Sequence, residues 1–290
     1  MFKGSIVAIV TPFKNGAVDE KALCDLIEWH IKEGTNAIVP CGTTGESATL
    51  EYEEHYRVIE ITIKAVNKRI PVIAGTGANA TDETIMITKK ASEMGADGAL
   101  LVSPYYNKPT QEGLYRHYKA VAEAVDIPIL LYNVPGRTAV NILPQTVARL
   151  AEVKNIVGIK EATGDMRQVS DVIRLCGDKL TVISGDDFTT FTLLALGGKG
   201  VISVSANVAP RDVSSMIKAW EDGKIDEARR LHFKLEPLNQ SMFIETNPIP
   251  AKTALSMMGK IQEEFRLPLC PMSGENKEKL RNVLKNYGVI

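Results

Sequence analysis

Eight short apolar runs, set between amphipathic stretches at fairly even intervals, limit this chain's possible folds more than any other feature. They are Ile6–Val10, Ala37–Val39, Pro71–Ala74, Gly98–Val102, Ile127–Tyr132, Ile156–Lys160, Leu180–Ile183 and Gly200–Val204, and their starts lie 20 to 34 residues apart. Each is rich in Val, Ile or Leu and continuous rather than alternating, as expected of parallel strands buried on both faces. The stretches between them have helical periodicity. Glu20–Lys32 sets Leu23, Leu26, Ile27 and Ile31 on one stripe behind Asp19, a good N-cap. Glu51–Asn67, with Thr49 as its expected cap, Thr81–Met94, Gln111–Ala124, Pro144–Ala151, Met166–Leu175 and Phe188–Leu196 follow the same logic.

Eight strand–helix units predict an α/β fold, a (β/α)8 TIM barrel. A weak internal repeat agrees: EGTNAIVP at 33–40, MGADGALLVSP at 94–104 and, more loosely, LGGKGVISV at 196–204 each place a helix-ending Gly just before a strand. An open doubly wound sheet fits less well. Thr11-Pro12-Phe13 stands where a dinucleotide fold carries its glycine-rich turn. Past Ala209 the strand rhythm stops, and Arg211–Trp220, Ile225–Asn239, Ile249–Met258 and Glu275–Lys285 all read as helices. The expected organisation is a barrel over 1–223 carrying the active site and a C-terminal helical domain over 224–290.

Composition excludes several functions. With 34 Lys and Arg against 35 Asp and Glu, the chain lacks the charge for nonspecific nucleic-acid binding. Cys24, Cys41, Cys176 and Cys270 form no C-x-x-C pair, so neither a zinc cluster nor a disulfide framework is expected. Reduced thiols, no apolar run near 18 residues and no signal peptide at the N-terminus suggest a cytoplasmic protein without a membrane span.

In a barrel, chemistry sits at the C-terminal ends of the strands. Lys160 ends the sixth run. A buried ammonium is costly to desolvate, and a neutral amine condenses with ketones. The plain alternative is a lysine reaching solvent or pairing with Glu161. Tyr132 ends the fifth run and could move protons, or could be a core tyrosine. Thr43 and Thr44 lie in CGTTGES at 41–47, where glycines let amides and hydroxyls converge on an anion, unless this is an ordinary turn with Glu46 capping a helix. Arg137 in PGRT presents a fork suited to a carboxylate, or is a solvated loop residue. Tyr105 and Tyr106 cannot both face one core, so at least one faces a site, a subunit contact or solvent. His30, His55, His117 and His232 have no metal-ligand spacing. Lys, Tyr, two Thr and Arg together suit a small anionic oxo acid activated as an imine.

GTTGE at 42–46, YNVPGRT at 132–138 and GIKEATGD at 158–165 in combination resemble the dihydrodipicolinate (4-hydroxy-tetrahydrodipicolinate) synthase family. That family belongs to the pyruvate-dependent class I aldolases, with N-acetylneuraminate lyase, and the resemblance spans essentially 1–290. It implies a barrel with a C-terminal helical domain, no cofactor and no metal. The implied activity condenses pyruvate with L-aspartate 4-semialdehyde in lysine and diaminopimelate biosynthesis. Lys160 matches the Schiff-base lysine, Tyr132 the proton-transfer tyrosine and Thr43 the relay threonine. Tyr106 matches the tyrosine lent by a neighbouring subunit, Thr44 the pyruvate-carboxylate binder and Arg137 the receiver of the second substrate's carboxylate. Gly185 and Ile202 match positions lining the site. The resemblance also implies a homotetramer, a dimer of tight dimers, inhibited by L-lysine through Ser47, Ala48, His55, Asn79, Glu83 and Tyr105. Tyr52 stands where a histidine is often found, which bears on the strength of that inhibition. Arg137 argues against a sugar-acid aldolase, whose second substrate is a sugar. A noncatalytic anion-sensing barrel is the reading from outside enzymology.

Overall fold

The computed structural model describes residues 2–290. All eight runs are strands: β1 Gly4–Ala8, β2 Ala37–Val39, β3 Ile73–Gly75, β4 Gly98–Val102, β5 Ile129–Asn133, β6 Ile156–Glu161, β7 Thr181–Ser184 and β8 Gly200–Ser203. Counted together they are the eight strands of one sheet. A separate antiparallel ribbon pairs Phe13–Lys14 with Ala17–Val18. Four helices follow the last strand, at Pro210–Glu221, Ile225–Ser241, Ile249–Met257 and Gly274–Tyr287. Among the described residues, no helix is long and apolar enough to cross a membrane.

The chain divides into two compact units, one of residues 71–202 with 2–3, the other of 4–70 with 203–290. In the first, parallel pairing joins β3 to β4, β4 to β5, β5 to β6, β6 to β7 and β7 to β8. Strand alternation sorts the side chains. Ile129, Leu131, Ile159 and Val182 enter a core filled from the helices by Leu114, Tyr118, Val121, Val147, Leu150, Val169 and Val172. Each such buried side chain contributes roughly 1.5–3 kcal/mol. The neighbouring positions Leu130, Tyr132 and Lys160 therefore point to the opposite face of the sheet.

In the second unit, β1 pairs with β2 in the register Ile6↔Ala37, Val7↔Ile38, Ala8↔Val39. The helix Glu20–Lys32 has its expected bounds, buries Leu23, Leu26 and Ile27, and is capped by the Asp19 carboxylate, which accepts the Ala22 amide at 3.0 Å. The next helix departs from expectation. It runs Tyr52–Val66 without a side-chain cap. Thr49 instead closes a short 3-10 turn, Ser47–Thr49, and donates its hydroxyl to the Glu46 carbonyl. A threonine one turn earlier in the chain therefore cannot reach the helix amides. The last helix docks through Tyr287, whose hydroxyl donates to Asp212 at 2.5 Å.

Candidate active site

Lys160 is buried, 5% exposed. The ladder fixes its position, with Tyr132 opposite it on β5 and Ile183 on β7. Its Nζ lies 4.2 Å from the centroid of the Tyr132 ring, and that tyrosine is itself buried. The pair thus puts an amine and a phenol-bearing ring side by side on one face of the sheet. Gly185, just past β7, makes room for the lysine. A Cβ there would meet Lys160 Cγ at 2.9 Å, Lys160 Cε at 3.0 Å and the Ala162 Cβ at 2.7 Å. Ile202, on β8, is fully buried.

Pairing of Lys160 with Glu161 is not what the structure holds. Alternation turns Glu161 to the other side, where its carboxylate accepts from the Thr163 amide at 2.9 Å, Asn133 Nδ2 at 3.1 Å and Gln168 Nε2 at 3.3 Å. Burial pushes the Glu161 carboxyl above its ordinary range, against those hydrogen bonds. Asn133 also donates to Asn141 Oδ1 at 2.8 Å and accepts from the Ile142 amide at 3.0 Å. This network fixes the chain on either side of the short helix Pro135–Thr138, which carries Arg137 exposed to solvent. The Thr138 hydroxyl bonds the Val134 and Val140 carbonyls and closes the turn.

The GTTGE loop belongs to the other unit. Its Gly45 and Glu46 amides are consumed by the Gly42 and Thr43 carbonyls, both at 3.1 Å. Among the described residues, the Thr43 and Thr44 amides find no acceptor, which leaves them with both hydroxyls as donors for an anion. Glu46 caps nothing. It sits in the left-handed region, φ 55°, an uncommon state for a side chain with a Cβ. Its buried carboxylate pairs with Lys252 and accepts the Arg266 amide at 3.2 Å. Lys252 is fully buried, its Nζ 4.2 Å from the Phe13 ring centroid. Burial draws its ammonium below the ordinary lysine range, and the Glu46 carboxylate opposes this. Arg266 extends the clamp to Glu54 at 2.6 Å and the Thr49 carbonyl at 3.3 Å. Asn247 donates to the Thr44 hydroxyl at 3.0 Å. Sequence reading missed Asn247 and Lys252. One signal was available: Lys252 is the sole charge in Ile249–Met258.

Tyr106 is 90% exposed at φ 73°, whereas Tyr105 is 38% exposed, so the adjacent tyrosines do diverge. Burial and the nearby Glu83 raise the Tyr105 phenol above its ordinary range. The Tyr105 carbonyl accepts from Asn79 Nδ2 at 3.2 Å, so Asn79, Glu83 and Tyr105 are brought together in the unit 71–202. Ser47, exposed Ala48 and buried His55 lie in the other unit, around the start of Tyr52–Val66.

Residues 1–287 match the model of the dihydrodipicolinate synthetase family. The chain is 75% identical over 290 residues, all of both proteins, to the 4-hydroxy-tetrahydrodipicolinate synthase of Thermodesulfovibrio yellowstonii. Its fold superposes with a TM-score of 0.98 on the chloride-inhibited dihydrodipicolinate synthase of Acinetobacter baumannii complexed with pyruvate, at 54% identity over all of both chains. The lysine-bound enzyme of Cyanidioschyzon merolae is 40% identical, with a TM-score of 0.97 over 100% of this chain and 99% of that one. The fold is a (β/α)8 barrel followed by helices, and the chain belongs to the dihydrodipicolinate synthetase family.

Proposed function

We propose that the chain condenses pyruvate with L-aspartate 4-semialdehyde to give 4-hydroxy-tetrahydrodipicolinate and water. The observation that carries this reading is the buried Lys160 amine beside the Tyr132 ring, on a strand end where Gly185 clears its path. The Lys160 amine attacks the pyruvate ketone, and loss of water gives an imine. The imine withdraws electrons from C3, so loss of a C3 proton gives an enamine. The enamine carbon forms a bond to the aldehyde carbon. The amine of the second substrate then displaces Lys160 and closes the ring. The lysine is itself the electron sink, so the scheme calls on no cofactor.

In this scheme Tyr132, Thr43 and Tyr106 move protons. Thr44 binds the pyruvate carboxylate, Arg137 receives the carboxylate of the aldehyde substrate, and Gly185 and Ile202 line the site. Tyr106 serves a neighbouring subunit of a homotetramer, a role that its exposure and left-handed backbone support. L-lysine inhibits through Ser47, Ala48, His55, Asn79, Glu83 and Tyr105, a reading supported by the lysine-bound relative. The enzyme works in the cytoplasm. Its catalytic barrel spans 1–223 and its helical domain 224–290. A coupled condensation assay on purified protein, run with the semialdehyde and with sugar aldehydes, tests the proposal. Turnover of the semialdehyde alone is expected, and preference for a sugar aldehyde would overturn it.

A further inference from the structure

The hydrogen-bond partner of the Thr44 hydroxyl lies 203 residues further along the chain. A threonine hydroxyl has one proton and two acceptor lone pairs. Asn247 Nδ2 donates into that oxygen at 3.0 Å, and among the described residues Asn247 is the one hydrogen-bond partner of the Thr44 side chain. Both residues are buried, Thr44 at 2% and Asn247 at 5% exposure. The donated bond fills a lone pair, turns the hydroxyl proton away from Asn247 and polarises it as a donor. Without the amide, the same hydroxyl could accept as well as donate, and its proton would have no fixed direction.

We propose that Asn247 is a positioning residue for substrate binding: its amide sets the Thr44 hydroxyl as an obligate donor to the pyruvate carboxylate. This rests on the reading of Thr44 as a carboxylate binder given above. Asn247 does not touch the substrate but acts through Thr44. Lys252, five residues on, clamps Glu46 in the same loop, so the segment that supplies the amide also holds the loop that receives it.

The test is a double-mutant cycle on the full-length enzyme, reading KM for pyruvate and kcat separately. Thr44→Val alone raises the pyruvate KM roughly tenfold or more, the loss expected for a hydrogen bond to a charged group. If it does not, the Thr44 reading itself fails. Asn247→Ala raises the pyruvate KM severalfold. The near-isosteric Asn247→Asp raises it further, because a carboxylate accepts the Thr44 proton and withdraws it from substrate. In the Thr44→Val background both Asn247 substitutions lose most of their effect on KM. A merely space-filling role gives the reverse order, with Asp the milder change. Simple charge repulsion by Asp persists in the Thr44→Val background. Either result, with Thr44→Val behaving as expected, overturns the inference and leaves the Thr44 reading standing. If Asn247→Ala does not accumulate as folded protein, Asn247→Asp measured with and without Thr44→Val decides alone.

Discussion

The strand ends that carry Lys160 and Tyr132 and the loop that carries Thr43 and Thr44 are held by different means. Lys160 needs little from distant sequence. Its register comes from β5 and β7, its face from alternation, and its path from a glycine 25 residues on. The GTTGE loop has no ladder. It is pinned by Asn247, Lys252 and Arg266, contacts that span more than 200 residues. Regular secondary structure makes the position of Lys160 a local property. An irregular loop depends on tertiary contacts, here a buried ion pair at its left-handed residue.

That difference sets the order of the expected effects. Lys252→Met strands the buried Glu46 charge and should destabilise the protein by about 3–5 kcal/mol. Combining it with Glu46→Gln should recover much of that loss. Urea denaturation of both variants checks this, and a single mutant as stable as the parent would mean the pair does not anchor the loop. Gly185→Ala should act on chemistry as well as on stability, because its Cβ would also press on the Ala162 Cβ at 2.7 Å. The added methyl presses on the Lys160 stem, and displacing a reacting group by about 1 Å costs on the order of 100-fold in rate. Single-turnover measurement of imine formation reads it directly. An unchanged rate would show that the lysine is not confined by this contact.

Arg137→Ala should raise the KM for the semialdehyde roughly tenfold, as befits a lost hydrogen bond between charged groups, and change that for pyruvate less. Varying each substrate in turn separates the two. A change confined to pyruvate would reassign the residue. The smallest effect belongs to Asp165, whose carboxylate caps the helix after β6 by accepting the Arg167 and Gln168 amides at 2.9 and 3.2 Å. Asp165→Ala should cost about 1 kcal/mol of stability and leave the kinetics nearly unchanged. A large loss of activity would tie that helix to the site more closely than its contacts indicate.

The same contrast explains what the sequence made legible. Strands and helices repeat at fixed periods, so all eight runs appear as strands, and the helices Glu20–Lys32 and Gln111–Ala124 have the expected bounds. Lys160 and Tyr132 stood out because they are polar groups ending apolar runs. The Thr49 cap failed because Thr49 closes the short 3-10 turn Ser47–Thr49 one turn before the helix, and no periodicity announces that turn. Asn247 and Lys252 left almost no local trace. Their partners lie 203 and 206 residues away, and only the isolated charge of Lys252 in an apolar helix hinted at a buried pair.

The whole reaction scheme turns on the Lys160 amine forming the imine. Incubating the protein with pyruvate, reducing with borohydride and mapping the modified peptide by mass spectrometry tests it most directly. A single reduced pyruvate adduct on Lys160, absent from Lys160→Ala, is the expected result. An adduct on another lysine, or an equal yield in Lys160→Ala, would contradict it.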